Sequence, residues 1–366
     1  MELAYQPESN GWVPQNTRRG RGATINMAGR FESQTREPLD DGWGSLDDLE
    51  PIRTTVTEEH AKTIISYNQS PDLPFDRSIN PYRGCEHGCS YCYARPSHAH
   101  MGLSPGLDFE SHLFVKPNAP ALLEDELAKS GYVAKPIILG ANTDPYQPIE
   151  KKWLVTRSIL SVLARRRHPV IIITKSALVL RDMDILEPMA RIGLAKVFLS
   201  ITSLDHKLSR SMEPRASTPA RRLEALAKLN EAGVSANIFY APVIPAINDH
   251  EMEAIFEAAK EAGAEEAYYV LLRLPLEVAP LFKAWLAENY PDRAARVMSL
   301  VRSTRGGREN DPAFGSRMKG IGPYAEMIGR RFKLAIRRLQ LNERSFELRT
   351  DLFRPPMKID AQMRLL

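Results

Sequence analysis

The chain has 366 residues, of which 43% are hydrophobic and 26% are charged, and its formal net charge is +4. These proportions are typical of a globular protein and exclude a wholly disordered or collagen-like chain, and no apolar run approaches the roughly 18 residues of a membrane-spanning helix. Only three cysteines are present, which excludes a disulfide framework and predicts a reducing, cytoplasmic location without a membrane partner.

The first 55 residues form the first predicted segment. They mix Gly, Arg, Asp and Pro without helical or strand periodicity. We therefore predict a disordered to irregular N-terminal tail over residues 1–55. Trp12 and Trp43 are unusual in a free tail and suggest that parts of it dock on the body.

Residues 56–278 alternate short apolar runs with amphipathic stretches, which predicts buried strands and helices in turn. The predicted strands are 78–83, 135–140, 170–174, 196–201, 235–241 and 266–272, and the predicted helices are 117–129, 149–167, 178–192, 219–231 and 248–262. This alternation predicts an α/β domain with a parallel sheet, as an open sheet or as a closed or partial barrel. Six units disfavour a full eight-stranded barrel, and the absence of Gly-x-Gly-x-x-Gly after a strand disfavours a dinucleotide-binding sheet.

The strand pattern stops after residue 278. Helices are predicted at 279–290, 292–303 and 324–341, with a polar loop rich in Gly and Arg between the last two. Residues 279–366 are therefore interpreted as a helical C-terminal extension.

This extension is basic. Residues 291–350 hold 14 Lys and Arg against 6 Asp and Glu, a net charge of +8, which leaves −4 for the other 306 residues. A stripe at helical spacing consists of Arg330, Arg331, Arg337 and Arg338. Such a stripe is suited to phosphates and predicts a nucleic acid or another anionic substrate as partner.

The three cysteines, Cys85, Cys89 and Cys92, fall within one octapeptide. The spacing C-x3-C-x2-C directs three thiolates toward one centre, and thiolates bind zinc or iron–sulfur clusters. Three interpretations compete: a chance grouping of structural cysteines, a zinc site completed by a nearby histidine, and an iron–sulfur cluster. Structural zinc usually pairs two C-x2-C knuckles and only one is present, so the cluster is favoured.

The motif C-x3-C-x-aromatic-C, with Tyr91 as its ring residue, resembles the signature of radical S-adenosylmethionine (SAM) enzymes. The stretches 78–84, 143–148 and 241–245 resemble the branch that contains spore photoproduct lyase and uncharacterised bacterial relatives. The resemblance implies a partial (β/α)6 TIM-like barrel in which the three cysteines hold a [4Fe-4S] cluster. It also implies that SAM binds the open iron and is reductively cleaved to a 5′-deoxyadenosyl radical, with an electron donor of the flavodoxin or ferredoxin type as partner.

Residues after the other predicted strands are candidate SAM contacts, because the carboxyl ends of parallel strands form the working face of such folds. The resemblance implies that Tyr91 contacts the adenine. It also implies that Asn142, Thr143 and Asp144 receive the SAM amino group. Lys175 follows the third strand and is suited to the SAM carboxylate or to an anionic substrate.

Two later positions complete this set. Ser200 and Thr202 point to one face of the fourth strand, where hydroxyls are suited to ribose or carboxylate contacts. Arg215 lies in the next loop and can bind a carboxylate with two hydrogen bonds. The resemblance implies an arginine there for SAM.

The cysteine count also bears on the reaction. Spore photoproduct lyase is understood to use a cysteine near the end of the second strand as hydrogen donor. Here that neighbourhood is Ala141-Asn142-Thr143, and no cysteine remains outside the motif. We therefore predict a lyase-like radical SAM enzyme with an unidentified substrate rather than a true photoproduct lyase. The competing hypotheses are a zinc-stabilised nucleic-acid-binding protein and an iron–sulfur redox protein without SAM chemistry.

Overall fold

The computed structural model describes residues 11–32, 49–343 and 347–356. Within these ranges the β-strands are β1 (Thr55–Glu58), β2 (Ile65–Tyr67), β3 (Arg77–Ile79), β4 (Tyr82–Arg83), β5 (His112–Val115), β6 (Ile137–Leu139), β7 (Val170–Thr174), β8 (Ala195–Ser200), β9 (Ser235–Val243) and β10 (Ala267–Leu271). The α-helices are α1 (Asp108–Ser111), α2 (Ala119–Leu127), α3 (Glu150–Trp153), α4 (Val155–Arg165), α5 (Met183–Arg191), α6 (His206–Met212), α7 (Pro219–Glu231), α8 (Met252–Glu261), α9 (Val278–Asn289), α10 (Pro291–Ser303) and α11 (Gly322–Leu339). Short 3-10 helices cover Arg95–Met101, Ala177–Asp182 and Asp249–Glu251.

Seven strands form the main sheet, in the order β10-β9-β8-β7-β6-β3-β2. β3 and β6 to β10 run parallel, and β2 pairs antiparallel with β3 at the edge. A second sheet has the order β1-β5-β4. Six parallel strands with intervening helices confirm the predicted α/β partial barrel. In the described part of the chain the two edge strands, β2 and β10, do not pair with each other, so the barrel is open.

Two predicted elements are divided. The predicted strand 78–83 is split into β3 of the main sheet and β4 of the second sheet, because Pro81 has no N–H with which to continue a ladder. The predicted helix 149–167 is interrupted at Leu154, whose φ of 55° is left-handed, so α3 ends there and α4 begins. The sequence pattern missed β1, β2, β5, α1 and α6, because these elements are too short to show a clear period.

Part of the predicted N-terminal tail is docked on the body. Residues 11–32 contain turns and an isolated bridge between Trp12 and Ile25, so this part is irregular as predicted. It is not free, because Arg18 and Arg21 are buried. Trp43 lies outside the described residues.

The helices of the C-terminal extension pack against the barrel. α9 and α10 contribute Phe282, Trp285 and Val297 to an apolar core that also contains Cys89 and Tyr91. α11 packs on α8 and adds buried residues to the main core. The extension is therefore part of the surroundings of the cysteine motif.

The loop between α10 and α11, residues 304–321, bridges the two edges of the open sheet, and we call it the rim loop. At one edge, buried Arg305 donates from Nη2 to the carbonyl oxygen of Leu271 in β10 at 3.1 Å. At the other edge, Arg317 Nε donates to Asp72, between β2 and β3, at 2.6 Å. The side chains of this ion pair are only 16% and 10% exposed, so the bridge is shielded from water.

Candidate active site

The three cysteines lie in residues 84–95, a segment that follows β4 and that we call the cysteine loop. Gly84 and Gly88 have φ values of 72° and 67°, in the left-handed region. A Cβ at Gly84 would come within 2.8 Å of the Phe109 carbonyl oxygen, and one at Gly88 within 2.6 Å of the Glu110 carboxylate. Only glycine therefore fits these two turns of the loop.

The thiols of the cysteine loop are close to one another and poorly solvated. Cys85 and Cys89 are buried, and Cys92 contacts the apolar groups around both. Burial raises the pKa of Cys89 to about 12 and the pKa of Cys85 well above its usual value, and charge on a neighbouring thiol raises both further. Three thiolates here need a cationic partner, and their soft sulfur donors fit an iron–sulfur cluster.

A single metal ion fits this loop less well. Within the described ranges, no group of three His, Cys, Asp or Glu side chains is arranged to hold one ion. His87 Nδ1 lies 3.3 Å from Asp144 Oδ2. His98 Nε2 lies 2.9 Å from the His112 carbonyl oxygen, and the buried Nδ1 of His98 has no hydrogen-bond partner. Each thiolate of a cluster binds a different iron, so cluster ligands need not converge on one point.

A buried ion pair between Glu110 and Arg95 joins the cysteine loop to the N-terminal segment, and we call it the N-terminal pair. Both side chains are fully buried. Arg95 Nε donates to the Cys89 carbonyl oxygen at 2.9 Å, and Nη2 donates to the Glu110 carboxylate. The same carboxylate accepts the backbone N–H groups of Gly22 and Ala23, each at 2.8 Å. The pair thus fixes the main chain of a cluster cysteine relative to residues near the N-terminus.

The N-terminal segment also touches the cysteine loop directly. A Cβ at Gly22 would overlap the carbonyl oxygen of Gly88, so the two backbones lie in contact. Arg21 Nη1 donates to the Glu110 carbonyl oxygen at 2.7 Å. Sequence reasoning assigned these residues to a tail outside the site, because a lone glycine in a polar segment carries no distinctive pattern.

A second buried ion pair, Glu213 with Arg222, lies at the carboxyl ends of the strands, and we call it the strand-end pair. Its side chains are 0% and 1% exposed. Glu213 accepts the Tyr91 hydroxyl and, at 2.8 Å, the Thr202 hydroxyl, while Arg222 Nη1 donates to the Ser200 carbonyl oxygen at 2.8 Å. Burial by itself would raise the pKa of Glu213, but the charges of Arg222 and Lys175 and the hydrogen bonds from Tyr91 and Arg222 together outweigh it, so the pKa is lowered. Glu213 is therefore a carboxylate at neutral pH.

Lys175 is the cation beside this pair. Its Nζ donates to Ser200 Oγ at 3.1 Å and lies 5.9 Å from the centroid of the Tyr91 ring. Its charge lowers the pKa of the Cys89 thiol against the larger effect of burial. The structure thus brings four predicted SAM contacts, Tyr91, Lys175, Ser200 and Thr202, together next to the cysteine loop.

Asp144 connects this group to the end of β6. Its carboxylate accepts the Lys175 backbone N–H at 2.8 Å and the Thr174 hydroxyl at 2.7 Å. Burial alone would raise its pKa, but His87 and these hydrogen bonds lower the pKa to about 2. Asp144 is thus a charged link between two strand ends and the cysteine loop.

The two residues before Asp144 differ in how accessible their side chains are to a ligand. Thr143 Oγ1 donates to the Tyr82 carbonyl oxygen at 3.0 Å. Asn142 uses its backbone N–H on Asn80 Oδ1 at 3.1 Å, and its side chain is exposed. Of the three predicted contacts for the SAM amino group, Asn142 has the most accessible side chain.

Arg215 lies apart from the other predicted SAM contacts. It donates to the Glu86 carboxylate and, through Nε, to the Gly20 carbonyl oxygen at 3.1 Å, so it connects the cysteine loop to the N-terminal segment. Its role as a SAM contact stays a prediction. The buried arginine of the strand ends is Arg222, which sequence reasoning missed because it sits among the charged residues at the start of α7.

The sequence profile of the radical SAM superfamily matches residues 79–259. An uncharacterised protein of Mycobacterium tuberculosis is 33% identical over 232 residues, which cover 63% of this chain and 68% of the relative. An uncharacterised protein of Methanocaldococcus jannaschii is 33% identical over 214 residues, covering 58% and 76%. A structure of spore photoproduct lyase with bound AdoMet and dinucleoside spore photoproduct is similar in fold, with a TM-score of 0.56 and 15% identity over 84% of this chain and 85% of that one.

Proposed function

Because this chain belongs to the radical SAM superfamily, we propose that Cys85, Cys89 and Cys92 hold a [4Fe-4S] cluster whose open iron binds SAM. When bound, cluster and SAM supply a 5′-deoxyadenosyl radical that abstracts hydrogen from a substrate. The observation that carries the proposal is the grouping of three poorly solvated thiols in one glycine-shaped loop beside the carboxyl ends of a parallel sheet. An external donor of the flavodoxin or ferredoxin type delivers the electron.

The residues at the strand ends orient SAM in this proposal. Lys175 offers an ammonium to the SAM carboxylate, and its 3.1 Å contact with Ser200 Oγ holds it beside the cysteine loop. The strand-end pair fixes the hydroxyl of Tyr91, so that the ring presents a constant face to the adenine. The exposed side chain of Asn142 is available to the SAM amino group.

The reaction proceeds without a cysteine as hydrogen donor. All three cysteines lie in the cysteine loop, and each is assigned to the cluster. We therefore propose a lyase-like hydrogen abstraction from an organic substrate other than the one repaired by spore photoproduct lyase.

A reconstitution experiment tests the cluster. Anaerobic reconstitution is expected to give iron and inorganic sulfide in equal amounts, and 5′-deoxyadenosine on addition of SAM and dithionite. Cys89→Ala is expected to lose both. Ser90→Ala is the matched control, because the Ser90 hydroxyl is buried in the same loop without a hydrogen-bond partner. One zinc and no sulfide would establish the zinc-protein alternative, and iron and sulfide without SAM cleavage would establish the redox-protein alternative.

A nucleic acid is proposed as partner for the solvent face of α11. The predicted arginine stripe is reduced in the structure: Arg331 pairs with Glu253 at 2.5 Å, and Arg338 pairs with Glu257. No helix in the described part of the chain is long and apolar enough to cross a membrane.

The remaining cations of α11 are the ones available to phosphates. Arg330, Lys333 and Arg337 are exposed. Replacing all three by alanine is expected to weaken DNA or RNA binding and to reduce the slope of log affinity against log salt by about one per lost contact. The control is Arg331→Ala with Arg338→Ala. An unchanged salt slope in the triple variant would remove the proposal.

A further inference from the structure

Arg273 lies two residues beyond β10, at the carboxyl end of the last strand of the sheet. Its neighbours Leu272 and Leu274 are buried in the apolar core that contains Cys89 and Tyr91. Because side chains of an extended chain alternate in direction, Arg273 points away from that core. Its guanidinium lies 5.6 Å from the centroid of the Tyr93 ring, and Tyr93 directly follows the third cysteine of the motif.

The hydrogen-bond donors of Arg273 are not satisfied. Nε is buried and has no hydrogen-bond partner. Nη1 has only the Met318 sulfur, at 3.8 Å, and a thioether is a weak acceptor. Across the described ranges no carboxylate forms an ion pair with this side chain. The neighbouring guanidinium of Arg317 repels Arg273 and forms its own ion pair with Asp72.

More acceptors surround three buried arginines of the described chain, Arg95, Arg222 and Arg305, than surround the partly buried Arg273. The Nε of Arg305 also lacks a partner, but its two Nη groups donate to four backbone carbonyl oxygens. Arg95 and Arg222 each have a buried glutamate and at least one carbonyl oxygen. Buried polar groups are satisfied in the large majority of cases, so an unsatisfied guanidinium requires an explanation. A ligand that brings its own acceptors provides one.

The surroundings of Arg273 are fixed in place. The Tyr93 hydroxyl donates to the Ala141 carbonyl oxygen, just after β6, and the ring is 47% exposed. On the other side stands the rim loop, anchored by Arg305 on β10 and by Arg317 on Asp72. A ligand at Arg273 would therefore meet side chains that are already held in position beside the cysteine loop.

We propose that Arg273, backed by the ring of Tyr93 and the rim loop, forms a subsite for an oxyanion of the substrate, either a carboxylate or a phosphate monoester. A guanidinium with free donors binds both groups through two parallel hydrogen bonds. The subsite deepens the proposed function, on which it rests, because it places the charged end of the substrate next to the third cluster cysteine.

The test uses the reconstituted holoenzyme without SAM, because reduction of the SAM-bound enzyme would cleave SAM and reoxidise the cluster, and inorganic phosphate and acetate are the separate probes. The reduced, paramagnetic cluster should enhance the relaxation of the phosphate ³¹P signal and of the acetate methyl signal. Arg273→Gln is expected to weaken binding of the preferred probe about tenfold, the loss of one charge-assisted contact. Arg273→Lys is expected to retain part of the binding, because it keeps the charge and loses the bidentate geometry. The probe with the larger effect identifies the group that the substrate carries.

The matched control is Arg296→Gln, which removes the same charge from an exposed arginine of α10. Iron content and circular dichroism report whether each variant is folded. Equal relaxation enhancement in the wild type and in both Arg273 variants would overturn the subsite, as would no enhancement by the reduced wild type. Calorimetric titration with phosphate needs no cluster. If reconstitution yields a protein that takes up no iron or sulfide, phosphate binding that still depends on Arg273 would keep the subsite and refute the proposed function.

Discussion

The two buried glutamate–arginine pairs beside the cysteine loop have the same chemistry and different partners. In the N-terminal pair, Glu110 accepts two backbone N–H groups, and Arg95 donates to the backbone carbonyl oxygens of Cys89, Pro105 and Gly106. In the strand-end pair, Arg222 also donates to backbone carbonyl oxygens, those of Ser217 and Ser200. The two pairs differ in the carboxylate, because Glu213 accepts two side-chain hydroxyls.

The difference shows how one kind of ion pair can serve two purposes. Backbone partners cannot be rearranged without moving the chain, so the N-terminal pair sets the path of the cysteine loop. Side-chain hydroxyls can rotate, so the carboxylate side of the strand-end pair can adjust to a ligand, while Arg222 stays anchored on backbone carbonyl oxygens. Substitutions on the two sides should therefore change different measurable quantities.

The largest effect is expected from Glu110→Gln, which leaves Arg95 buried without its counter-charge. The free energy of unfolding should fall by about 3–5 kcal/mol, measured by denaturant titration, and iron should be lost faster in air. Glu257→Gln is the control, because it removes an equivalent charge from an exposed pair with Arg338 and should change stability very little. Equal behaviour of the two variants would show that the N-terminal pair does not organise the loop.

The next largest effect is expected from Gly22→Ala, because the added Cβ overlaps the Gly88 carbonyl oxygen. Overpacking of this kind lowers the free energy of unfolding by about 1–3 kcal/mol, and the rate of iron loss in air should rise. The control is Gly329→Ala in α11, where the new Cβ meets only the Tyr269 hydroxyl at 3.3 Å. An unchanged rate of iron loss would show that the N-terminal segment does not influence the cluster.

On the strand-end side, Lys175→Met should act on the ligand rather than on the fold. Loss of a charge-assisted hydrogen bond should raise the dissociation constant for SAM by about tenfold, measured by equilibrium binding to the reconstituted protein. The free energy of unfolding should not fall, because a partly buried ammonium is removed. Lys62→Met, at an exposed position between β1 and β2, is the control. A lower free energy of unfolding without a change in SAM affinity would show that Lys175 stabilises the fold and does not bind SAM.

The smallest effect is expected from Thr202→Val, which removes one of the hydroxyls that Glu213 accepts. Tyr91 and Arg222 remain as partners, so the free energy of unfolding should fall by about 1 kcal/mol, with a small change in SAM affinity. A loss as large as that of Glu110→Gln would mean that both pairs are equally rigid and would remove the contrast between them.

The sequence predicted the features that depend on local patterns. The apolar, β-branched run Val170–Thr174 and the start of a helix at Pro219 are encoded within a few residues, and the structure has both elements with the predicted bounds. The cysteine spacing likewise identified the loop that carries the thiols.

The features that were missed depend on contacts between distant parts of the chain. Glu110 and Gly22 are separated by 88 positions, and no periodicity connects a glycine in a polar tail with a buried carboxylate. The same limit explains why Arg215 was predicted and Arg222 was missed. Nothing in the local sequence distinguishes the two arginines, and only the folded chain shows that Arg222 is the one buried beside Glu213.

The rim loop has a consequence for the order in which the chain folds. Its contact between Arg317 and Asp72 spans 245 positions, and contacts of such high sequence separation form slowly because a long loop must be closed first. During synthesis β10 emerges well before Arg305 and Arg317, so the outer edge of this strand remains unpaired until the last fifth of the chain is made. An unpaired strand edge is a template for aggregation. Chains truncated within the rim loop should therefore precipitate even when the cysteine loop and all six parallel strands are intact.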